Sequence, residues 1–218
     1  MLTGRWSSEG LTAKARCPVQ EVRTMCGRFY IAEEDKAEEL QRIIDLMNRK
    51  YNGNPGVKTR GEIRPTDIVM TVANGQSMQQ GVFAMRWGYT MPDGKPMFNA
   101  RSETAAVKPL FADGMKQRRC LIPATCYFEW EKRGDRKIKH AIATQGQEMI
   151  YLAGIYRREG NQAACSILTR EAADCVAHIH HRMPVILPAE AMPDWLNPRY
   201  DAVEVLRAAQ TNMNFTPV

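Results

Sequence analysis

Short strand-like runs follow one another along this chain with few helical patterns between them, and that spacing limits the fold more than any other feature. The runs fall at residues 28–31, 68–73, 82–87, 120–123, 126–130, 138–143, 150–156, 164–168 and 184–187, bounded by turn-forming residues. One clear amphipathic helix is predicted over 33–50, where Ala37, Leu40, Ile43, Ile44 and Met47 recur at three- and four-residue spacing and Glu33, Glu34 and Asp35 suit its start. Shorter helices are predicted at 104–116, 171–177, 189–195 and 200–209, with a Gly/Asn/Pro loop over 51–61. A doubly wound parallel sheet needs regular strand–helix alternation, which is missing. The pattern predicts an α+β fold: one domain whose curved, barrel-like, mainly antiparallel β-sheet is flanked by short helices.

The 218 residues suit a single domain, and an apolar fraction of 44% can fill its core. No apolar run reaches the roughly 18 residues of a membrane span, and the basic N-terminus lacks the apolar stretch of a secretory signal. The formal charge of +6 permits nucleic-acid contact without requiring it. Cys17, Cys26, Cys120, Cys126, Cys165 and Cys175 form no CxxC pair, which disfavours a structural zinc site. Without a secretory signal a reducing cytoplasm fits better than a disulfide framework. Residues 1–24 are polar and aperiodic and read as a disordered extension, a leader or a misassigned start, so the domain is set at 25–218.

Cys26 directly follows Met25 at the edge of the predicted fold. Methionine is generally removed before a small residue. A cysteine so exposed carries a thiol and an α-amine on adjacent carbons, with pKa values of roughly 8.5 and 8. The amine can condense with an aldehyde and the thiolate can then close a thiazolidine. An abasic deoxyribose, partly open-chain aldehyde, is a natural partner. A cysteine beside an internal methionine is, however, more often structural.

Three further groups carry chemistry. In Asn99-Ala100-Arg101-Ser102-Glu103-Thr104, Arg101 can fork onto a phosphate and Asn99 can orient a thiol or sugar oxygen, while Ser102 can cap a helix that begins at Glu103. In Tyr127-Phe128-Glu129-Trp130, alternation puts Glu129 on the face of Tyr127, where a carboxylate among aromatics suits proton transfer; a surface glutamate paired with Lys132 or Arg133 explains the residue equally well. His178, His180 and His181 offer an acid/base, but no HExxH pattern or carboxylate pair completes a metal site, so neither metal nor cofactor is expected.

Taken in series, Met25-Cys26-Gly27-Arg28-Phe29, Arg86-Trp87-Gly88, Asn99 to Thr104, Arg119-Cys120-Leu121-Ile122-Pro123-Ala124, Phe128-Glu129-Trp130 and Ile179-His180-His181-Arg182-Met183-Pro184 closely resemble the SRAP family, the SOS-response-associated peptidases. The chain departs from that pattern at Cys126, where the family usually has Gly, and at the loosely matching Gly61 to Pro65. The resemblance implies an SRAP-type domain that crosslinks to abasic sites in single-stranded DNA through Cys26. Asn99 would position the cysteine or the sugar, Glu129 would serve as acid/base at the amine, and His180 would assist opening of the sugar ring. It further implies DNA contacts from Arg28, Arg101 and Arg182, with Trp87 as a stacking or backbone-shaping surface. The family's name reflects a proposed self-cleavage before this cysteine. A cytoplasmic monomer, nucleoid-associated when bound to DNA, is expected. Two other classes remain open on the residues: a Cys/His/Glu peptidase acting on other proteins, and a non-catalytic single-strand binder using aromatics and arginines.

Overall fold

The computed structural model describes residues 27–33, 37–52, 56–75 and 77–218. The expectations attached to residues 1–24 and to Cys26 lie outside the described residues. The chain enters the fold through β1 (Arg28–Ile31) and α1 (Glu38–Lys50), then forms β2 (Val57–Lys58), β3 (Gly61–Ile63), β4 (Ile68–Asn74) and β5 (Gln80–Trp87). Next, β6 (Asn99–Arg101) runs into α2 (Ser102–Ala105) and α3 (Pro109–Gln117). The longest strands follow: β7 (Arg119–Ala124), β8 (Cys126–Arg133), β9 (Arg136–Thr144), β10 (Ile150–Glu159) and β11 (Gln162–Glu171). The remainder comprises α4 (Asp174–Ala177), β12 (Arg182–Pro184), β13 (Ile186–Leu187), a 3-10 turn (Ala189–Ala191), α5 (Met192–Leu196), α6 (Ala202–Leu206) and β14 (Met213–Pro217).

Among the described residues the strands form two sheets. The smaller runs β14-β9-β8-β1-β3, and the larger contains the path β12-β11-β5-β4-β7-β10-β13. Because β10 also pairs with β11, strands β5, β4, β7, β10 and β11 close into a barrel. Every seam of that ring is antiparallel except β5–β11, which is parallel and holds only at Ala164↔Arg86 and Cys165↔Trp87. Closure leaves the barrel strands without open edges there. The inner strand β7 is buried along its whole length, whereas β1 alternates, with Phe29 and Ile31 inward. Helix α1 buries Leu40, Ile43, Ile44 and Met47, and its acidic first turn and basic last turn match the helix dipole.

At Gly154 the barrel is packed to its limit. This residue of β10 faces Cys120 of β7, and a Cβ there would lie 2.6 Å from Ile122 Cδ1 and 3.1 Å from Cys120 Sγ. Gly154→Ala is therefore expected to cost about 1–3 kcal/mol, read as a lower urea midpoint at unchanged slope.

The structure departs from the sequence reading mostly at helix ends. The helix predicted from 33 begins at Glu38, with Ala37 as its cap. The stretch predicted as one helix over 104–116 splits into α2 and α3, because Pro109 holds Lys108 extended (φ −78°, ψ 125°). Ser102 is not a cap: Arg101 occupies that position without a side-chain cap bond, and Ser102 is the first helical residue. The predicted 51–61 loop carries β2 and the first residue of β3. Residue 171 still belongs to β11, so the next helix is only α4. The helix predicted at 200–209 shortens to α6, whose cap Asp201 accepts from the amides of Val203 and Glu204.

Candidate active site

Two of the sequence groups meet on either side of the end of β11. Strand β6 runs parallel to it, pairing Asn99↔Ile167 and Arg101↔Thr169. Strand β12 runs antiparallel to it, pairing Glu171↔Arg182 and Thr169↔Pro184. Side chains then lock the two together. Arg182 donates through Nη1 and Nη2 to the two Glu103 carboxylate oxygens at 2.6 and 2.8 Å, and through Nη2 to the Thr169 carbonyl at 2.7 Å. The Arg182 hydrogen bonds hold the Glu103 carboxyl below its usual range. Thr169 Oγ1 completes the clasp on the Ala100 carbonyl at 3.4 Å. Arg182 is thus engaged within the protein, its side chain 10% exposed, and contact with a DNA phosphate would require this clasp to open. Arg101 on the same segment is exposed and forms no ion pair among the described residues.

The third group arrives on the smaller sheet. Tyr127 and Glu129 lie on the inner face of β8, and Glu129 is 4% exposed. The alternative of a surface glutamate paired with Lys132 or Arg133 does not hold; Arg133 pairs with Glu131 instead. His180, in the segment between α4 and β12, comes to 3.9 Å from Glu129 Oε1 through its Nδ1. That same Nδ1 lies 3.1 Å from both the amide nitrogen and the carbonyl oxygen of Arg182. When protonated it donates to the carbonyl, and when not it accepts from the amide, so the backbone supports either state of a proton-transfer group. His178 parts from the other two histidines and packs edge-on against Phe215 of β14, while the His181 ring lies tilted beside His180 at 4.5 Å.

The register of β1 on β8, Arg28↔Phe128 and Tyr30↔Cys126, sets the entry of β1 beside Glu129. On the opposite, outer face of this sheet Arg28 lies over the Trp130 ring at 4.9 Å and donates to Glu62 at 2.9 Å. Lys139 lies over Phe128 at 3.7 Å and also reaches Glu62. Burial would raise the Glu62 carboxyl, but Lys139, Arg64 and Arg28 outweigh it and hold the group below its usual range. Alternation had placed Trp130 on the face opposite Glu129; Lys139 and the Glu62 hub were not singled out by sequence, because they depend on strand order.

Trp87 has no exposed surface. Its ring lies 5.1 Å from Phe29 and 5.8 Å from Phe98, and its Nε1 donates to the Phe98 carbonyl at 2.9 Å. A sealed indole offers no face to a base, so the stacking half of the expectation is not met; what its packing supports is shaping of the backbone at β1 and just before Asn99. The thiols among the described residues are poor nucleophiles where they are buried. Burial pushes Cys126 up to about 11 and Cys165 up to about 12, and raises Cys120 well above the ordinary range. The exposed Cys175 donates to the Thr211 carbonyl instead of meeting Glu129 or His180.

A closed mixed barrel joined to a second sheet, with a buried Glu129 beside His180 at the entry of β1, defines a class that comparison makes explicit. Residues 25–218 match the family model described as SOS response associated peptidase (SRAP), and the chain belongs to that family. Among its relatives, the abasic site processing protein YobE of Bacillus subtilis (strain 168) is 32% identical over 187 residues, covering 80% of this chain and 83% of that protein. The abasic site processing protein YedK of Escherichia coli (strain K12) is 29% identical over 200 residues, 85% of each. A crystal structure of a protein from Bacteroides thetaiotaomicron shares the fold with a TM-score of 0.71 at 23% identity, over 88% of this chain and 92% of the other. No helix among the described residues is long and apolar enough to cross a membrane.

Proposed function

We propose that this chain captures abasic sites in single-stranded DNA, using Cys26 as its N-terminal residue. The observation that carries the reading is the approach of half-buried His180 to buried Glu129, 3.9 Å apart, beside the entry of β1. Cys26 precedes Gly27 by one peptide step, about 3.8 Å between Cα atoms. Its amine and thiol would need a nearby acid/base, and none of the buried described thiols is suited to replace it.

In the proposed reaction His180 assists opening of the deoxyribose to its aldehyde. The Cys26 amine adds to the carbonyl carbon, and Glu129 relays protons as water leaves, giving an imine. The Cys26 sulfur then bonds to the imine carbon while the thiol proton ends on nitrogen. One water is lost overall, and the product is a thiazolidine crosslink. Asn99, on β6, is assigned to orient the cysteine or the sugar. Residues 1–25 must be absent for this, because an amide nitrogen cannot form the imine. The family match begins at residue 25, and synthesis starting at Met25 followed by its removal would expose that amine. Cutting by the protein itself would expose the same amine.

The test is incubation of protein beginning at Cys26 with a single-stranded oligonucleotide bearing one abasic site. A denaturant-stable adduct is expected, and none with intact DNA of the same sequence; absence of the adduct would overturn the reading. DNA binding before reaction is assigned to Arg101 and Arg28, both at the surface, with Arg182 contributing once its Glu103 clasp opens. Binding of intact single strands is expected to weaken with salt. Arg101→Ala should flatten the plot of log affinity against log salt by about 0.7, the value for one lost phosphate contact on a single strand, as read by fluorescence anisotropy.

A further inference from the structure

A second acid–base pair, this one buried, adjoins the first. Glu131 follows Glu129 at i+2, so both carboxylates leave the inner face of β8, with Cα atoms about 6.6 Å apart. Glu131 is 7% exposed. Across the ladder His140, only 1% exposed, stands directly opposite Glu129 in register. Its Nε2 nevertheless turns to the diagonal neighbour and lies 3.0 Å from Glu131 Oε2. Glu131 also accepts from Arg133 Nε at 2.6 Å. The His140 ring is held edge-on by Phe215 of β14, at 5.7 Å.

Two buried carboxylates on one face compete for ionisation, and a partner that neutralises one frees the other. Arg133 first, then His140 against the opposing effect of burial, hold Glu131 below its usual range. Glu129 shares its face of β8 with Tyr127 and Glu131, stands opposite His140 of β9 and lies 3.9 Å from His180 in the segment before β12. We propose that Glu131, held by Arg133 and His140, is a positioning element for Glu129: its own donors satisfy the second carboxylate, so that Glu129 is the group that exchanges protons at the site. The functional side of this inference rests on the abasic-site reading; the electrostatic side does not.

The experiment is a pH titration of the Glu129 side-chain carboxyl by NMR in the full chain labelled with 13C-glutamate, the signal identified by its loss in Glu129→Gln. Glu131→Gln removes the neighbouring negative charge and should move the Glu129 midpoint down. His140→Phe keeps the ring contact with Phe215, takes from Glu131 its contact across the ladder while the Arg133 contact remains, and should move it up. Each shift is expected on the order of one pH unit, and the double variant should fall between them. A merely structural role would not move the two variants in opposite directions. No shift in either, or shifts of the same sign, would overturn the proposal. If His140→Phe fails to fold, the isosteric Glu131→Gln decides alone: a downward shift supports the proposal and an unchanged midpoint overturns it. Adduct formation is followed in parallel on protein beginning at Cys26. Midpoints shifted as expected with no wild-type adduct would overturn the abasic-site reading and leave the role of Glu131 standing.

Discussion

Cys26→Ala, in protein beginning at residue 26, is expected to lower the yield of denaturant-stable adduct at least about 100-fold. The alanine variant keeps the α-amine, so it can still form the imine, and borohydride should trap that species. What it loses is ring closure. A thiolate on the neighbouring carbon attacks intramolecularly, and well-oriented intramolecular reactions reach effective molarities of roughly 10⁵–10⁸ M. No external thiol at millimolar concentration replaces that. Nor do the buried Cys120 and Cys165 or the half-buried Cys126, since desolvation pushes all three thiols up. An alanine variant that forms the stable adduct as well as the parent would place the chemistry elsewhere. Quantifying adduct on denaturing gels, with and without borohydride, separates these outcomes.

Glu129→Gln is expected to slow adduct formation about 10²- to 10³-fold while leaving the chain folded. The substitution is isosteric and keeps a carbonyl oxygen near His180, so packing on the inner face of β8 is retained. It removes the group able to accept and return a proton as the amine attacks and water departs, a role that ordinarily contributes 10²–10⁴-fold. The effect belongs in the initial rate, measured in excess protein. Binding of intact single strands should be nearly unchanged, because Glu129 is buried and lies away from the outer face that carries Arg28 and Trp130. A rate within about threefold of the parent would remove Glu129 from the reaction.

Much of the fold was legible because most of its strands alternate or are wholly apolar. The runs later found as β4, β5 and β7 to β11 announce themselves this way, and α1 does so through Leu40, Ile43, Ile44 and Met47. The strand β14 was not legible: only Met213 is buried, and its place is set by pairing with β9. Barrel closure was equally hidden, since it depends on a parallel contact of two residue pairs between β5 and β11. At the site, sequence alternation put Glu129 on the face of Tyr127, the amide chemistry of Asn99 marked it as an orienting group, and the family resemblance chose His180 among the three histidines. It could not show that His180 reaches Glu129, or that Arg182 is clasped by Glu103, 79 positions away. Glu131 shares the alternation of Glu129 and could have been read from it. His140 could not, because its partner is fixed by the hairpin register.

In the proposed reaction a free amine on Cys26 does the capturing. It is tested by preparing protein that begins at Cys26 in two forms, one with a free terminus and one acetylated, alongside the chain with residues 1–25 retained. Each is incubated with abasic single-stranded DNA, and the products are weighed by intact mass spectrometry. A covalent product is expected only for the free terminus, at the summed mass of protein and DNA less one water. The same product from the acetylated protein, or from a chain still carrying residues 1–25, would contradict this expectation.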